Sequence, residues 1–134
     1  MYACVAWPLC FAHADDLETA RAALQDKLYM IAQSHAEKAL RGGTAEKPQA
    51  LLVLLEALFS QGYYAEMLIR LDTFAEEVRQ APSSAAFGYW RALALLNIGR
   101  PAEALRLSES GTNAPPLYAD AMRRISARSK QALG

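Results

Sequence analysis

Residues 61–67 read QGYYAEM and residues 98–104 read IGRPAEA. In both segments a glycine is followed by a glutamate four positions later, and the two glycines, Gly62 and Gly99, are 37 positions apart. Apolar residues recur at helical spacing before and after each segment. Glycine adopts the positive φ that lets a chain leave one helix and reverse into the next. The two segments therefore predict two helical hairpins.

The composition favours helices throughout the chain. Its 134 residues, one domain by length, include 27 Ala and 19 Leu but only 11 Val, Ile and Thr together. Apolar residues make up 53%, which is enough for a core. Lys and Arg number 14, as do Asp and Glu, and this zero net charge argues against a nucleic-acid partner. The predicted fold class is all-α.

The first helical region precedes both glycines. Helical spacing runs from a cap at Asp15 or Asp16 to Gly42, either as one long helix or as two helices bent near residues 33–35. The next region, up to residue 61, is apolar almost all the way round, since only Glu56 is polar between residues 50 and 59. Such a helix must be covered on more than one side within the domain, or it must bind a partner through one face.

The remaining regions are also helical by pattern. Residues 63–80 predict a one-sided amphipathic helix that Pro82 ends, and residues 85–98 are again broadly apolar. A last helix near the C-terminus carries four cations on its polar face: Arg123, Arg124, Arg128 and Lys130. Because the helix dipole favours cations there, we interpret this face as solvated rather than as an anion site.

The first fourteen residues, MYACVAWPLCFAHA, predict an apolar tail or a secretory signal. Residues 12–14 are typical of a cleavage site, but no basic residue precedes the apolar stretch and Pro8 interrupts it. Cleavage would place the protein in the periplasm, and otherwise we expect it in the cytoplasm. Cys4 and Cys10 fit neither a zinc spacing nor a redox pair. No stretch is long enough to span a membrane. The helical domain is predicted over residues 15–134.

Both glycine junctions resemble those of the tetratricopeptide repeat, which has a glycine, an aromatic or proline two positions on, and then Glu-Ala. Ala92 and Ala104 occupy the small positions of that repeat, whereas Leu55 and Met67 replace them in the earlier unit. The resemblance implies antiparallel helical hairpins stacked as a short tetratricopeptide-like solenoid with capping helices. A closed helical bundle is the alternative.

The order of features is also similar to the small cytosolic chaperones of the type III secretion needle subunit. The matching stretches are residues 36–37, residues 61–63, Trp90 nine positions before Gly99, and a last helix with Asp120, Met122 and Arg123. This resemblance implies a chaperone that keeps a needle subunit monomeric by covering an amphipathic helix, together with a second small helical partner. The alternatives are an exported periplasmic repeat scaffold and a helical structural subunit without a groove.

The first helix of each hairpin lines the concave side of a tetratricopeptide-like stack. The resemblance therefore implies that a partner's amphipathic helix binds against Leu52, Glu56, Phe59, Tyr89, Leu93 and Leu96. The wide apolar circumference of both helices supports this independently. Trp90 is also of a type suited to anchoring a partner, but we interpret it as a core residue because aromatic side chains dominate cores.

No catalytic signature is present, and we predict that the chain is not an enzyme and uses no cofactor or metal. His13 and His35 have no potential ligands around them at metal spacing, and we interpret His35 as a partly exposed surface residue. Gly42-Gly43 is not followed by the Lys-Ser/Thr of a phosphate-binding loop.

Overall fold

The computed structural model of the protein describes residues 11–42, 46–110 and 115–134. Every regular element in these ranges is an α-helix, which confirms the predicted fold class. The helices are α1 (Phe11–Gln25), α2 (Tyr29–Arg41), α3 (Lys47–Ser60), α4 (Tyr64–Thr73), α5 (Ala75–Gln80), α6 (Ser84–Asn97), α7 (Pro101–Ser110) and α8 (Pro116–Leu133). Within the same ranges, no helix combines the length and apolar character needed to cross a membrane.

Three helical hairpins share one turn geometry. Three residues separate α1 from α2, α3 from α4, and α6 from α7. In each turn the second residue has a positive φ, of 61° at Lys27, 81° at Gly62 and 82° at Gly99. The next N–H in each turn donates to a carbonyl five residues back, at 2.8 to 2.9 Å. This is the Schellman motif, which satisfies the free carbonyls at a helix end.

The first helical region, α1 and α2, is therefore a third hairpin of the same kind. We expected one long helix or a bend near residues 33–35, because no glycine marks a turn there. The chain instead turns at residues 26–28, where Lys27 takes the place of the glycine. The start was also wrong: α1 begins at Phe11, so Asp15 and Asp16 lie inside the helix rather than at its cap. The predictions for residues 1–10 lie outside the described residues.

Residues 63–80 form two helices rather than one. The backbone leaves the helical path at Phe74, with φ −104° and ψ 30°, between α4 and α5. Phe74 and Val78 both pack against the core around α3, and α5 contacts α3 and α6. Both side chains are partly buried in this arrangement.

Helices pack on their neighbours in the chain. α3 contacts α1, α2, α4, α5 and α6, which confirms that this apolar helix is covered on several sides. α6 contacts α3, α4, α5, α7 and α8. Among the described residues, α1 and α2 make no contact with α6, α7 or α8.

The core consists of two main clusters that meet at a seam. The first surrounds α3, where Leu54, Leu55 and Leu58 are fully buried, and the second joins α6, α7 and α8. Three partly buried side chains pack against both clusters, namely Phe59, Leu68 and Trp90. Trp90 thus packs against both parts of the core and remains partly exposed.

Candidate functional site

A row of five aromatic rings runs from α4 across α3 and α6 to α8. We call it the aromatic ladder, and its members in spatial order are Tyr64, Phe59, Trp90, Tyr89 and Tyr118. Successive ring centroids are 5.4, 5.7, 5.2 and 6.3 Å apart, and the rings are tilted by 48° to 60°. Tilted pairs at these distances are favourable aromatic contacts. All five side chains are partly exposed.

The turn between α3 and α4 sets one end of the ladder. Phe59 lies in the last turn of α3, and its carbonyl accepts the N–H of Gly62 at 3.0 Å. Tyr64 is the first residue of α4. The sharp reversal at Gly62 therefore brings the two rings together, and Trp90 of α6 then contacts the other side of Phe59.

Phe59 and Tyr89 are the two predicted binding residues that belong to the aromatic ladder. Trp90 lies between them, so the structure brings residues from two hairpins into one row. Leu52 is partly buried against the first core cluster and Leu96 against the second. All four predicted side chains keep some solvent exposure.

Leu93 and Glu56 differ from these four. Leu93 is buried, with 7% of its surface exposed, and it belongs to the second core cluster. Glu56 is exposed, and it has no ion-pair partner among the residues described. Since residues three apart share a helix face, Glu56 lies on the same side of α3 as Phe59.

An open pocket of about 310 Å³ lies at the α8 end of the ladder. Tyr89 and Tyr118 contribute its aromatic wall, and Leu117, Asp120, Ala121 and Arg124 complete the lining. Leu117 is 77% exposed. The pocket thus combines apolar surface with one guanidinium and one carboxylate.

Tyr64 and Tyr118 were missed in the sequence. Tyr64 follows Gly62 by two positions, where the tetratricopeptide junction has an aromatic or proline, so a signal for it was present. Tyr118 is the third residue of α8, and it has no comparable signal in the sequence. Its role depends on the contact between α6 and α8, which only the structure supplies.

A second open surface lies between α2 and the α3–α4 turn. Met30 is 77% and Tyr63 53% exposed, and both line an open pocket of about 300 Å³. The rest of this pocket is polar and internally paired. Gln61 Nε2 donates to Gln33 Oε1 at 3.0 Å, and Glu37 Oε1 accepts from Arg70 at 3.0 Å. Because four of its six lining residues are polar, this surface offers less apolar area to a partner than the aromatic ladder does.

Several polar groups elsewhere are engaged in pairs. His35 Nδ1 lies 2.8 Å from Asp16 Oδ1, so it ties α2 to α1 rather than standing free. Within the described ranges, no group of three His, Cys, Asp or Glu side chains is placed to hold a metal ion. Hydrogen bonds from the Arg100 guanidinium lower the pKa of Glu103 and raise that of Arg100 itself. These two residues lie in the turn and first helical turn of the third hairpin, away from the ladder.

Comparisons with known proteins found no match: the chain matches no family model, no curated protein and no solved structure.

Proposed function

We propose that the protein is a binding domain that holds an amphipathic helix of a partner protein against the aromatic ladder. The observation that carries this proposal is the ladder itself, five partly exposed rings in contact across four helices. Aromatic side chains are the commonest anchors of protein interfaces because they bury much area at little entropic cost. A helix with one apolar face is a natural occupant of such a surface.

The arrangement that presents this surface is, in our proposal, a short tetratricopeptide-like solenoid. Three hairpins with the same Schellman turn support it, as do contacts that link only hairpins close together in the chain. Stacked repeats cannot each bury their apolar faces alone, so a continuous core forms between neighbours. Phe59 and Trp90 pack against both parts of that core and remain partly exposed to a partner.

Rigidity of the ladder favours binding. Phe59 and Trp90 pack against both core clusters, and Tyr89 packs against the second. A partner that docks on side chains already held in place loses less conformational entropy than one that must order them. The ladder therefore suits a preformed anchoring surface, with Leu52 and Leu96 extending its apolar area.

A specific form of this function is a cytosolic chaperone of a type III secretion needle subunit. The resemblance of the sequence to that family supports it. In this form the ladder covers the apolar helix through which the subunit would otherwise polymerise, and a second small helical protein completes a heterotrimer. An exported scaffold and a structural subunit without a groove are the competing functions, and each predicts a different experimental outcome.

Binding is tested with ladder variants in cells that make the protein. Tyr89→Ala and Tyr118→Ala should each reduce the amount of co-purifying partner, because each removes a ring at the more open end of the ladder. Tyr63→Ala is the matched control, since Tyr63 is an exposed tyrosine outside the ladder. Circular dichroism establishes that all three variants remain folded.

The alternatives are separated by two further results. If both ladder variants retain the partner as well as the Tyr63→Ala control does, the ladder is not the binding surface and a structural subunit becomes the better proposal. N-terminal sequencing of the mature protein tests the compartment. A chain that starts at Asp15 would mean cleavage and export, and would contradict the cytosolic chaperone.

A further inference from the structure

Within the described ranges, the polar face of α8 carries two cations with ion-pair partners and two without. Arg123 pairs with Asp120, and Lys130 Nζ lies 3.7 Å from Glu109 Oε1. Arg124 and Arg128 have no ion-pair partner among the described parts of the chain. The sequence alone gave no reason to distinguish these four residues.

Arg124 differs from Arg128 in its position. It lines the open pocket at the end of the aromatic ladder, beside Tyr89 and Tyr118, whereas Arg128 does not line it. The carboxylate in the same pocket belongs to Asp120, which Arg123 already engages. Among the described residues, the pocket thus combines an arginine that has no ion-pair partner with two aromatic side chains.

A helix bound along the ladder would cover this guanidinium at the α8 end. Removing water from a charge that stays unpaired is costly, whereas a carboxylate placed against it forms a charge-assisted pair. Guanidinium groups are well matched to carboxylates because they offer parallel N–H donors in one plane. A partner that covers the pocket without an acidic residue would therefore bind more weakly than one that carries it.

We propose that Arg124 selects partners, by pairing with an Asp or Glu that lies on the edge of the partner's apolar face next to the side chain that packs against Tyr89 and Tyr118. This inference rests on the proposed function and adds a specific chemical requirement to it. The occupant is an acidic amphipathic helix of another protein. Arg124 is the specificity-determining residue, and Arg128 on the same helix plays no part in recognition.

Designed peptides provide the test. The probes are amphipathic helical peptides of about 18 residues with Leu and Phe along one face. One Glu is moved turn by turn along the edge of that face, and each peptide has a match with Lys at the same position. Affinities are measured by fluorescence anisotropy on the full chain, for the wild type and for Arg124→Gln, Arg128→Gln and Tyr118→Ala.

We expect at least one Glu peptide to bind the wild type about tenfold more tightly than its Lys match, as for a hydrogen-bonded charge pair. Arg124→Gln should abolish this preference, while Arg128→Gln, which removes the same charge from the same helix, should keep it. A preference that survives Arg124→Gln, or that both arginine variants lose equally, would overturn the role of Arg124.

Failure of the inference is distinguishable from failure of the proposed function. If all peptides bind equally well and Tyr118→Ala weakens every one of them, the ladder binds helices without selecting an acid. In that case the inference is wrong and the proposed function stands. If no peptide binds the wild type, both are wrong.

Discussion

Lys27 occupies in the first hairpin the position that Gly62 occupies in the second. Each is the second of three turn residues, each has a positive φ, and each is followed by an N–H that donates five residues back. The two turns differ in cost, because a lysine in the left-handed region is strained where a glycine is not. The first hairpin therefore forms in spite of its turn residue.

This difference predicts opposite effects of substitution at the two turns. Lys27→Gly should raise the free energy of unfolding by up to about 1 kcal/mol, and Gly62→Ala should lower it by about 1 kcal/mol. An added Cβ at Gly62 meets no atom within 4 Å, so the loss there arises from the backbone alone. Urea denaturation followed by circular dichroism measures both changes.

Gly88 supplies the control for these variants. It lies within α6, and a Cβ built on it has an ordinary contact of 3.6 Å with Met122. Gly88→Ala should therefore stabilise the protein by about 0.5 to 1 kcal/mol through helix propensity. If Gly62→Ala also stabilised it, the assignment of the turn conformation would be wrong.

The ion pair between Glu37 and Arg70 links the first hairpin to the second. The two side chains are 25% and 30% exposed, and Arg70 also donates to Glu66 at 2.8 Å. A double-mutant cycle with Glu37→Ala and Arg70→Ala should give a coupling energy of about 0.5 to 1 kcal/mol. The pair Glu76–Arg79, which is 61% and 73% exposed, should give a coupling near zero. Equal couplings for the two pairs would contradict a structural role for Glu37.

Ser129 is the one fully buried side chain with an unmatched polar atom in the described residues. Ser129 is 0% exposed, and its Oγ has no hydrogen-bond partner there. Because an unpaired buried hydroxyl is costly, Ser129→Ala should leave stability unchanged or raise it by about 1 to 2 kcal/mol. Thermal unfolding measures the change. A clear loss of stability would mean that the hydroxyl makes a contact that the structure does not contain.

The pKa of Glu103 should lie below its usual value in the folded protein. Arg100 donates to the two carboxylate oxygens at 2.7 and 2.6 Å, and these bonds favour the charged form. The stabilisation is therefore present above the pKa of the unfolded chain and is lost as the pH falls through the lowered folded pKa. Titration of the carboxyl carbon by nuclear magnetic resonance measures the shift, and Arg100→Gln should remove most of it.

Much of the fold was predictable because its signals are local. Gly62 and Gly99 marked two of the three turns, and the apolar circumference of α3 indicated its central position. The turn at Lys27 was not predictable, because a lysine has no local preference for the left-handed region that it adopts there. Ala20 and Ala32 lie on either side of that turn and are fully buried. Their small side chains are what the sequence shows of the close packing between α1 and α2.

The candidate site was predictable only in part. The tetratricopeptide resemblance implied Phe59 and Tyr89 as binding positions, and both lie in the aromatic ladder. Tyr118 and Arg124 join them through the packing of α8 on α6, which no local pattern encodes. Leu93 was expected in the groove but lies in the core. Helical spacing cannot distinguish a groove position from a core position when the whole helix is apolar.

The first hairpin and the last three helices share no contact within the described residues. They are therefore coupled only through α3, α4 and α5. Cooperative folding of the two ends of the domain therefore depends on these three helices. Fraying of α1 and α2 therefore removes neighbours from α3 but leaves α7 and α8 in place, and amide protons of α3 should be the slowest to exchange with solvent.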